Sequence, residues 1–495
     1  MTPFRRRVVL RHLSSTSDND TIYALSSGLN AGQATAVAVL RVSGPQAGPI
    51  LQKLTRNLKL PPPRKAALRH LYTTDEQLLD QALVLWFPGP NSFTGEDVVE
   101  LHTHGSRAVV QDCLQALSQS GSRLAEAGEF TQRAFGNGKL NLLQTEGLAD
   151  LLIAETSRQR VQALQQLQYN DQYDRWRSQL IGGLAHAEAV IDFGDDEHLD
   201  ASTDDVDIGQ ENIWGGVRDQ MSDLRNTMRQ QLKDAKRGEL VREGVQVAIV
   251  GAPNAGKSSL FNLLSNREAA IVSPQAGTTR DVLEVSLNLA GIKCILQDTA
   301  GVRSVTDDVI EQEGMKRALK AASEADLVLA MVDSSDSSGV GLDILQGVLK
   351  KDVDPKNVML LLNKSDLDTT NSVDASHSLL EKLGGHHSIS CVTQTGVDAF
   401  LAALTTKVDA LVSVDSDNES PTEGLLITRA RHRQHVEAAV AALDRFDVLS
   451  LQGPMVVDMA AEELRLAASE LGRITGAVDV EDVLDKLFQD FCIGK

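Results

Sequence analysis

The sequence lacks long hydrophobic runs and has few cysteines. The chain is 495 residues long, and its longest apolar stretches, VQVAIV and ADLVLAMV, have the length of strands. A membrane-spanning helix needs about 18 apolar residues, so we expect no integral membrane association. Its 4 cysteines are too few for a disulfide framework in a chain of this length, which favours a reducing compartment. The content of 42% hydrophobic and 23% charged residues is that of a globular protein and excludes wholesale disorder.

Basic residues are also in deficit. The chain has 48 lysines and arginines against 68 aspartates and glutamates, a net charge of −20, which argues against non-specific binding of polyanions. Residues 1–17 differ, because they contain four arginines, no acid and several Ser and Thr residues. This composition is typical of an organellar transit peptide, and a solvated basic tail is the alternative. We predict a mitochondrial presequence and a location in the matrix; without these residues the charge would be −24.

The length allows about three domains, and the hydrophobic periodicity changes along the chain. Short apolar runs separated by turns predict an α+β domain, and the helical periodicity after it is interrupted by alternating strand and helix patterns. Such alternation predicts a parallel sheet covered on both faces, inserted into an α-helical domain. The acidic stretch 192–207 predicts a solvent-facing turn region. The predicted domains are α+β at 18–140, a first helical half at 141–243, α/β at 244–411, a linker at 412–424 and a second helical half at 425–495.

A phosphate-binding loop opens the α/β domain. The sequence GAPNAGKS, from Gly251 to Ser258, fits the pattern G-x-x-x-x-G-K-[ST] and lies between a strand pattern and a helix pattern. Glycines let backbone N–H groups surround phosphates at a helix N-terminus, where the helix dipole favours anions. We expect Lys257 to reach the outer phosphates and the Ser258 hydroxyl to bind Mg²⁺.

Three further motifs follow in order and indicate GTP. Asp298 begins DTAG after a strand pattern, which places a carboxylate near Mg²⁺ and a glycine amide near the terminal phosphate. Asp366 ends NKSD, and its carboxylate can accept hydrogen bonds from guanine N1 and N2, which adenine does not offer. The sequence SCV after a short strand is expected to contact the base oxygen. The expected GTP site comprises Asn254, Ala255, Gly256, Lys257, Ser258, Ser259, Ser273, Pro274, Gln275, Ala276, Gly277, Thr278, Thr279, Asp298, Thr299, Ala300, Gly301, Asn363, Lys364, Ser365, Asp366, Ser390, Cys391 and Val392.

The residue that orients the attacking water in Ras-type GTPases is missing from its usual place. Those enzymes carry a glutamine after the D-T-A-G motif, whereas this chain has Val302, which has no polar group. Glu311 and Glu313 follow nearby, and the alternative is that both are solvated acids on a helix face. Asn254 lies beside the phosphates, and its amide oxygen can hold a monovalent cation in place of an arginine finger.

Together these motifs resemble the MnmE/TrmE family of tRNA-modification GTPases, in its mitochondrial form. The resemblance covers nearly everything after residue 17. It is carried by DTIYALSSG (20–28), VLRVSGP (39–45), LWFPGPNSFTGEDVVELHTHG (85–105), GEFTQRAFGNGKLNLLQTEGLADLL (128–152), AGTTRD in the GTPase segment and the terminal FCIGK. The implied fold class is multidomain, with an α+β N-terminal folate-binding-like domain, an α-helical domain and an inserted Ras-like α/β P-loop GTPase domain.

The resemblance implies metal ligands and a catalytic residue in the GTPase domain. Mg²⁺ is expected on Ser258 and Thr279. Glu311 aligns with the family's water-positioning glutamate when one residue is inserted in the switch loop, and Glu313 is the alternative. Val392 stands where the family is often basic, so base contact there is expected from the backbone. The implied K⁺ ligands are Asn254, Ser273, Gln275 and Thr278.

The N-terminal domain resembles a folate-binding module that also forms the homodimer. Cationic side chains suit the anionic glutamate tail of folate, and a carboxylate suits the amino edge of the pterin. Cys492 is the family's terminal cysteine, and it is either a catalytic thiol or a small buried residue near the folate pocket. The other three cysteines are expected in the core. The residues that match the family's positions for a 5-formyl- or 5,10-methylene-tetrahydrofolate derivative are Arg41, Glu100, Lys139 and Lys495.

The implied function is a K⁺-dependent GTPase that works with an MnmG-type flavoprotein, which carries FAD. The pair would install a 5-carboxymethylaminomethyl-type or taurinomethyl-type group at C5 of mitochondrial tRNA wobble uridines. The one-carbon unit would come from tetrahydrofolate, and GTP hydrolysis would drive a conformational cycle. An acidic chain is expected to bind tRNA weakly on its own. The alternatives are a ribosome-assembly GTPase of the Era/Der type and a regulatory switch without chemistry. His432 and His435 are expected to meet RNA, a partner or solvent.

Overall fold

The computed structural model describes most of the chain. The chain divides into two compact units, one made of Met1–Ala149 with Gly472–Lys495 and the other of Asp150–Leu471. The predicted presequence and most of the predicted linker lie outside the described residues. The described residues are 20–27, 35–168, 171–196, 203–267, 269–271, 283–298, 320–335, 346–347, 354–367, 383, 385–413, 425–452, 456–478, 481–489 and 491–494.

The described residues form strands and helices in the following order. The strands are β1 (Ile22–Leu25), β2 (Thr35–Ser43), β3 (Ala67–Tyr72), β4 (Leu78–Phe87), β5 (Val98–Gly105), β6 (Arg123–Leu124), β7 (Val245–Gly251), β8 (Leu283–Leu289), β9 (Ile292–Asp298), β10 (Leu327–Asp333), β11 (Val358–Asn363) and β12 (His386–Ser388). The helices are α1 (Ala47–Thr55), α2 (Arg107–Ser118), α3 (Glu129–Gly136), α4 (Leu142–Ile153), α5 (Ser157–Gln168), α6 (Asp171–Asp196), α7 (Thr203–Glu243), α8 (Lys257–Ser265), α9 (Val397–Val412), α10 (Ala430–Ser450), α11 (Val457–Thr475) and α12 (Glu481–Gln489).

The first unit is built on a six-stranded sheet of order β3-β4-β5-β2-β1-β6. Neighbouring strands are antiparallel except β1 and β6, which are parallel. Leu40 and Leu101 on the strands share one buried apolar cluster with Leu51 of α1 and Leu117 of α2. Helices α1 and α2 therefore cover one face of the sheet.

The other face of this sheet carries exposed apolar side chains. Successive side chains of a strand point to opposite faces, and the register pairs Leu68 with Leu83 and Leu83 with His102 in one row away from α1 and α2. Leu68 and Leu83 are 55% and 46% exposed, and Val37 on β2 is 52% exposed. We call this surface the open sheet face.

The second unit contains a six-stranded sheet of order β12-β11-β10-β7-β9-β8. Five strands run parallel, and β8 runs antiparallel to β9. The prediction of a parallel sheet is wrong for β8, because β8 and β9 form a tight hairpin that needs no crossover helix. The hairpin turns at Ala290 and Gly291, which both have positive φ. Separate buried clusters lie on the two faces of the sheet, as predicted for this domain.

Helix α7 links the sheet of this unit to a bundle of helices. It is 41 residues long and packs against α5, α6 and α10. It ends at Glu243, and after Gly244, which has a φ of 98°, strand β7 begins. Among the described helices, none is both long and apolar enough to cross a membrane.

The acidic stretch 192–207 is helical where the structure describes it. Helix α6 extends to Asp196 and α7 begins at Thr203, so the predicted turn region is wrong at both of its ends. Residues 197–202 lie outside the described residues. Acidic residues in the first turn of a helix are favoured by the helix dipole, so a cluster of acids does not by itself indicate a turn.

Candidate functional site

The phosphate-binding loop joins β7 to α8 at the carboxyl edge of the second sheet. Lys257 is 8% exposed, and its Nζ donates hydrogen bonds to the carbonyl oxygens of Gly251 (2.9 Å) and Ala252 (2.8 Å). Asn254 is exposed and has a φ of 62°, in the left-handed region that asparagine tolerates. The loop therefore curls around the position of the lysine amine, and the Asn254 side chain lies on the surface of the loop.

One buried amide ties the phosphate loop to the guanine loops. Asn363, at the end of β11, is 2% exposed. Its Nδ2 donates to the carbonyl oxygen of Ala255 (2.8 Å), and its Oδ1 accepts from the backbone N–H of Cys391 (3.2 Å). A Cβ on Gly256 would lie 2.1 Å from Asn363 Nδ2, so only glycine permits this close approach. Three of the predicted motifs are thus held together through one side chain.

The lysine of the guanine motif has a partner that the sequence analysis missed. Lys364 Nζ donates to the carboxylate of Asp333 (2.5 Å), which ends β10. Burial acts to raise the pKa of Asp333, but the hydrogen bonds from Lys364 and Ser335 outweigh it and lower that pKa. Asp366 is exposed and so is accessible to a base. In the sequence, Asp333 could be recognised only as an acid at the end of a strand pattern.

The Ser390–Val392 loop borders the guanine motif. Cys391 is half-buried, and burial, with a smaller contribution from the charge of Asp366, raises the pKa of its thiol to about 11. Val392 is 83% exposed, and the hydroxyl of Ser390 accepts a hydrogen bond from the backbone N–H of Thr393 (3.1 Å). The side chain of Val392 offers no polar group, which leaves the backbone of this loop for contact with a base oxygen.

The rest of the predicted nucleotide, metal and catalytic residues lie outside the described residues. Asp298 ends β9, but its side chain is outside the description. Asn254 and Ser258 are the described members of the predicted K⁺ and Mg²⁺ sets. The predicted residues outside the description are Ser273, Pro274, Gln275, Ala276, Gly277, Thr278, Thr279, Thr299, Ala300, Gly301, Val302, Glu311, Glu313 and Lys495.

In the first unit, the structure brings Arg41 and Glu100 together. Arg41 Nε and Nη2 donate to Glu100 Oε1 (3.2 and 2.9 Å) across the β2–β5 pair. The Arg41 guanidinium lies over the rings of Phe93 (5.5 Å) and Phe130 (5.7 Å). His102 Nε2 lies 3.6 Å from Glu100 Oε2. Neither phenylalanine was predicted from the sequence, because the loop that carries Phe93 and the helix α3 that carries Phe130 come together only in the folded chain.

Lys139 follows α3 and contacts the loop between β4 and β5 that carries Phe93. Its Nζ donates to the carbonyl oxygen of Pro90 (2.9 Å), and Asn137 Nδ2 donates to that of Thr94 (2.7 Å). These two bonds fasten the end of α3 to the segment between β4 and β5. The structure thus links Lys139 to the Arg41–Glu100 pair through the Phe93 loop.

The C-terminal tail lies on the same unit. Ile493 forms an antiparallel bridge with Ala127, and Ser26 Oγ donates to the carbonyl oxygen of Gly494 (3.1 Å). Gly494 has a φ of 97°, and a Cβ there would lie 2.6 Å from the carbonyl oxygen of Leu25. Cys492 is exposed, so the alternative that it is a small buried residue is wrong. The tail is thus fixed beside β1 with its thiol accessible.

The remaining cysteines are less accessible. Cys113 and Cys294 are buried, as predicted, and burial raises the pKa of each thiol to about 12. Cys391 is half-buried, so its prediction as a core residue is only partly right.

In the histidine pair of α10, His432 is buried and His435 is half-buried. His432 is 0% exposed and packs edge-on against Tyr173 of α6, with ring centroids 5.9 Å apart. His435 Nδ1 lies 2.7 Å from Glu470 Oε2 of α11. The prediction that His432 meets RNA, a partner or solvent is therefore wrong, because this face of α10 packs inside the bundle.

Comparisons with known proteins match nearly the whole chain. The family model described as MnmE helical domain matches residues 142–492, and that described as GTP-binding protein TrmE N-terminus matches residues 21–139. The mitochondrial protein of Rattus norvegicus named 5-taurinomethyluridine-[tRNA] synthase subunit GTPB3 is 45% identical over 96% of this chain and 93% of its own length. The protein of that name in Homo sapiens is 44% identical over the same shares.

A bacterial relative gives the same result. The tRNA modification GTPase MnmE of Parvibaculum lavamentivorans is 46% identical over 96% of this chain and 100% of its own length. These matches confirm the predicted fold class, in which the nucleotide loops described above belong to a P-loop GTPase domain. The chain is an enzyme that hydrolyses GTP, and it belongs to the MnmE/TrmE family of tRNA-modification GTPases.

Proposed function

We propose that this chain is the GTP-hydrolysing subunit of a mitochondrial matrix enzyme that modifies tRNA wobble uridines at C5. The group installed would be of the taurinomethyl or 5-carboxymethylaminomethyl type. The observation that carries this proposal is the 45% identity, over 96% of the chain, to a mitochondrial 5-taurinomethyluridine-[tRNA] synthase subunit. The match includes both compact units, whereas a ribosome-assembly GTPase of the Era/Der type would share the GTPase domain alone.

GTP hydrolysis is assigned to the loops at the carboxyl edge of the second sheet. On nucleotide binding, Lys257 Nζ would exchange its two backbone carbonyl acceptors for phosphate oxygens. Asp366, exposed beside the buried Asn363, would accept hydrogen bonds from the guanine N1 and N2 groups. Mg²⁺ would be held by Ser258 and Thr279, where it neutralises charge on the phosphates.

A monovalent cation is proposed to replace an arginine finger. The exposed amide of Asn254, held at a φ of 62° on the phosphate loop, supports this assignment. K⁺ would be held by Asn254 with Ser273, Gln275 and Thr278, and it supplies positive charge next to the phosphates. Glu311, with Glu313 as the alternative, is proposed to position the attacking water in place of the missing glutamine.

A tetrahydrofolate derivative, the 5-formyl or the 5,10-methylene form, is proposed to bind in the first unit. The adjacent Arg41 and Glu100, with Lys139 fastened to the Phe93 loop, support this pocket. Glu100 Oε1 accepts from Arg41, and Oε2, which lies 3.6 Å from His102 Nε2, is the oxygen proposed for the pterin amino edge. Lys139 and Lys495 suit the glutamate tail. Cys492, exposed on the fixed tail, is proposed as a thiol that acts on the one-carbon unit.

A second copy of the chain is proposed to pack on the open sheet face. Leu68 and Leu83 are neighbours on this face, and Val37 is on the same face across β5; each is about half exposed. Exposed apolar surface of this kind marks interaction sites. The homodimer would bury these side chains.

The name of the relatives supports a protein partner, and the net charge of this chain bears on its binding to tRNA. The word subunit in the relatives' name supports a second protein, which we propose is the MnmG-type flavoprotein that carries FAD. With a net charge of −20, this chain would bind tRNA weakly alone and rely on a basic surface of that flavoprotein. GTP hydrolysis would drive a conformational cycle in the assembly.

The function is tested by nucleoside mass spectrometry of mitochondrial tRNA. In cells that lack this chain, we expect the C5-modified wobble uridines to disappear while modifications at other tRNA positions persist, because a single enzyme installs the C5 group. Wobble uridines that keep the modification in these cells would overturn the proposed function and leave the GTPase assignment intact.

The cation site is tested by the salt dependence of GTP hydrolysis. We expect hydrolysis by the full chain to be at least roughly tenfold faster in K⁺ than in Na⁺, because a correctly placed charge stabilises the transition state. Asn254→Gly removes the amide and keeps a residue that tolerates positive φ, so it should abolish the preference for K⁺. Asn262→Ala on the exposed side of α8 is the matched control. Equal rates in the two salts would contradict the assignment.

The folate pocket is tested by calorimetry with 5-formyl-tetrahydrofolate. The chain should bind it, and Lys139→Ala should weaken binding by roughly 10- to 150-fold, since a lost charge-assisted contact costs about 1.5–3 kcal/mol. Lys59→Ala, at an exposed lysine of the same unit, should bind as the wild type does. An absence of binding by the unaltered chain would remove the folate part of the proposal.

A further inference from the structure

One stretch of the first unit contains no acidic residue. Residues 21–74 include seven lysines and arginines and neither aspartate nor glutamate, although 68 of the 495 residues of the chain are acidic. This stretch contains β1, β2, α1 and β3. Basic residues that are grouped without acids create a local positive potential, even on a chain whose net charge is −20. The exposed cations of the stretch therefore favour contact with an anion.

Some of these cations already have partners within the unit. Arg41 belongs to the proposed folate pocket. Arg56 pairs with Glu76 at 3.3 Å, and its guanidinium lies over the ring of Tyr72 at 4.7 Å. Arg69 on β3 is half-buried. The exposed cations that pair with no carboxylate of a described residue are Lys53, Lys59, Arg64 and Lys65.

Arg64 lies against the Phe93 loop, next to Lys139. Its Nη2 donates to the carbonyl oxygen of Asn91 (2.5 Å), and Lys139 Nζ donates to that of Pro90 (2.9 Å). The two cations are therefore bonded to consecutive residues of one loop. Lys139 is also exposed, and it too has no carboxylate partner among the described residues.

The backbone of Arg64 is fixed at this place. Its φ of 60° lies in the left-handed region, which side chains of this kind rarely adopt. Its N–H donates to the carbonyl oxygen of Trp86 (2.8 Å), on β4. Asn91 precedes Phe93 by two residues, a span of at most about 7 Å, and the Phe93 ring lies 5.5 Å from the Arg41 guanidinium. Arg64 is thus held close to the proposed folate pocket.

These cations keep hydrogen-bond donors for a ligand. A guanidinium has five N–H groups and an ammonium three, and Arg64 and Lys139 each use one of them on the loop carbonyls. Lys65 follows Arg64, is exposed, and its ammonium has no partner among the described residues. Three cations with free donors and no counter-ion suit a ligand that carries several carboxylates.

The number of free cations decides between two classes of polyanion. A protein that holds a nucleic-acid backbone contacts roughly 6–10 phosphates. Only Arg64, Lys65 and Lys139 are placed beside the Phe93 loop, which is too few for such a backbone. A short chain of carboxylates that leaves the folate pocket needs no more than these three.

We propose that Arg64 and Lys65, next to Lys139, form a subsite for the γ-linked glutamate chain of a polyglutamylated tetrahydrofolate. Folates carry either one glutamate or several that are joined through their γ-carboxyl groups, and each added glutamate brings one more carboxylate. Lys139 would bind the first glutamate, and Arg64 and Lys65 those that follow. This inference rests on the proposed folate site and adds a preference for the polyglutamylated form.

The test is calorimetry of the full chain with the monoglutamyl and the pentaglutamyl forms of 5-formyl-tetrahydrofolate. The pentaglutamyl form should bind roughly tenfold more tightly or better, and this ratio should fall as salt is added, because screening weakens attraction between exposed charges. Arg64→Gln together with Lys65→Gln should bring the ratio close to one. Lys53→Gln together with Arg107→Gln removes the same charge from exposed positions of α1 and α2, and this matched control should keep the ratio.

The ratio separates the subsite from the folate pocket and from RNA binding. A distorted pocket would weaken both forms alike, so only a ratio that depends on Arg64 and Lys65 supports the subsite. Equal binding of the two forms by the unaltered chain would overturn the subsite and leave the folate pocket, whereas binding of neither form would remove both. Weaker tRNA binding by the double variant with an unchanged ratio would assign these cations to RNA and also overturn the proposal.

Discussion

The second unit depends on one carboxylate. The GTPase domain leaves the helical bundle after Arg242, and the chain returns to the bundle at Arg429, directly before α10. Oδ1 of Asp150 accepts a hydrogen bond from each of these arginines, so one oxygen joins the segment where the inserted domain begins to the segment where it ends. Removing this carboxylate would take a hydrogen-bond acceptor from two largely buried guanidinium groups, which is a strongly destabilising change. This pair of bonds therefore holds the two chain crossings of the insertion next to each other.

Contacts of the β8–β9 hairpin connect the GTPase sheet to the helical bundle. The β8–β9 hairpin lies in sequence between the two segments that carry the predicted switch residues. At its turn, the carbonyl oxygen of Gly291 accepts a hydrogen bond from the backbone N–H of Arg158 (3.2 Å), and Lys293 pairs with Glu155. These bonds attach the hairpin to the start of α5. In the proposed conformational cycle, these bonds are the described contacts by which a change in the hairpin would reach the helices.

The sequence located the phosphate and guanine loops but not the partners of each residue in the fold. Local motifs identify the phosphate and guanine loops, because a few adjacent residues determine their backbone. Partners distant in sequence, such as Asp333 for Lys364 or Phe93 for Arg41, depend on the tertiary fold and carry no local pattern. His432 shows the same limit, since helical periodicity does not tell which face of α10 is buried in a bundle of several helices.

The central claim is that GTP recognition by this chain is required for tRNA modification. It is tested most directly by the fraction of C5-modified wobble uridine in cells that lack the chain and express either the wild type or Asp366→Asn. Asp366 is exposed, so this change spares the fold, and it replaces one of the two carboxylate acceptors for guanine N1 and N2 by an NH₂ donor. At equal protein levels, the account predicts full modification with the wild type and almost none with the variant. Full modification with Asp366→Asn would contradict it.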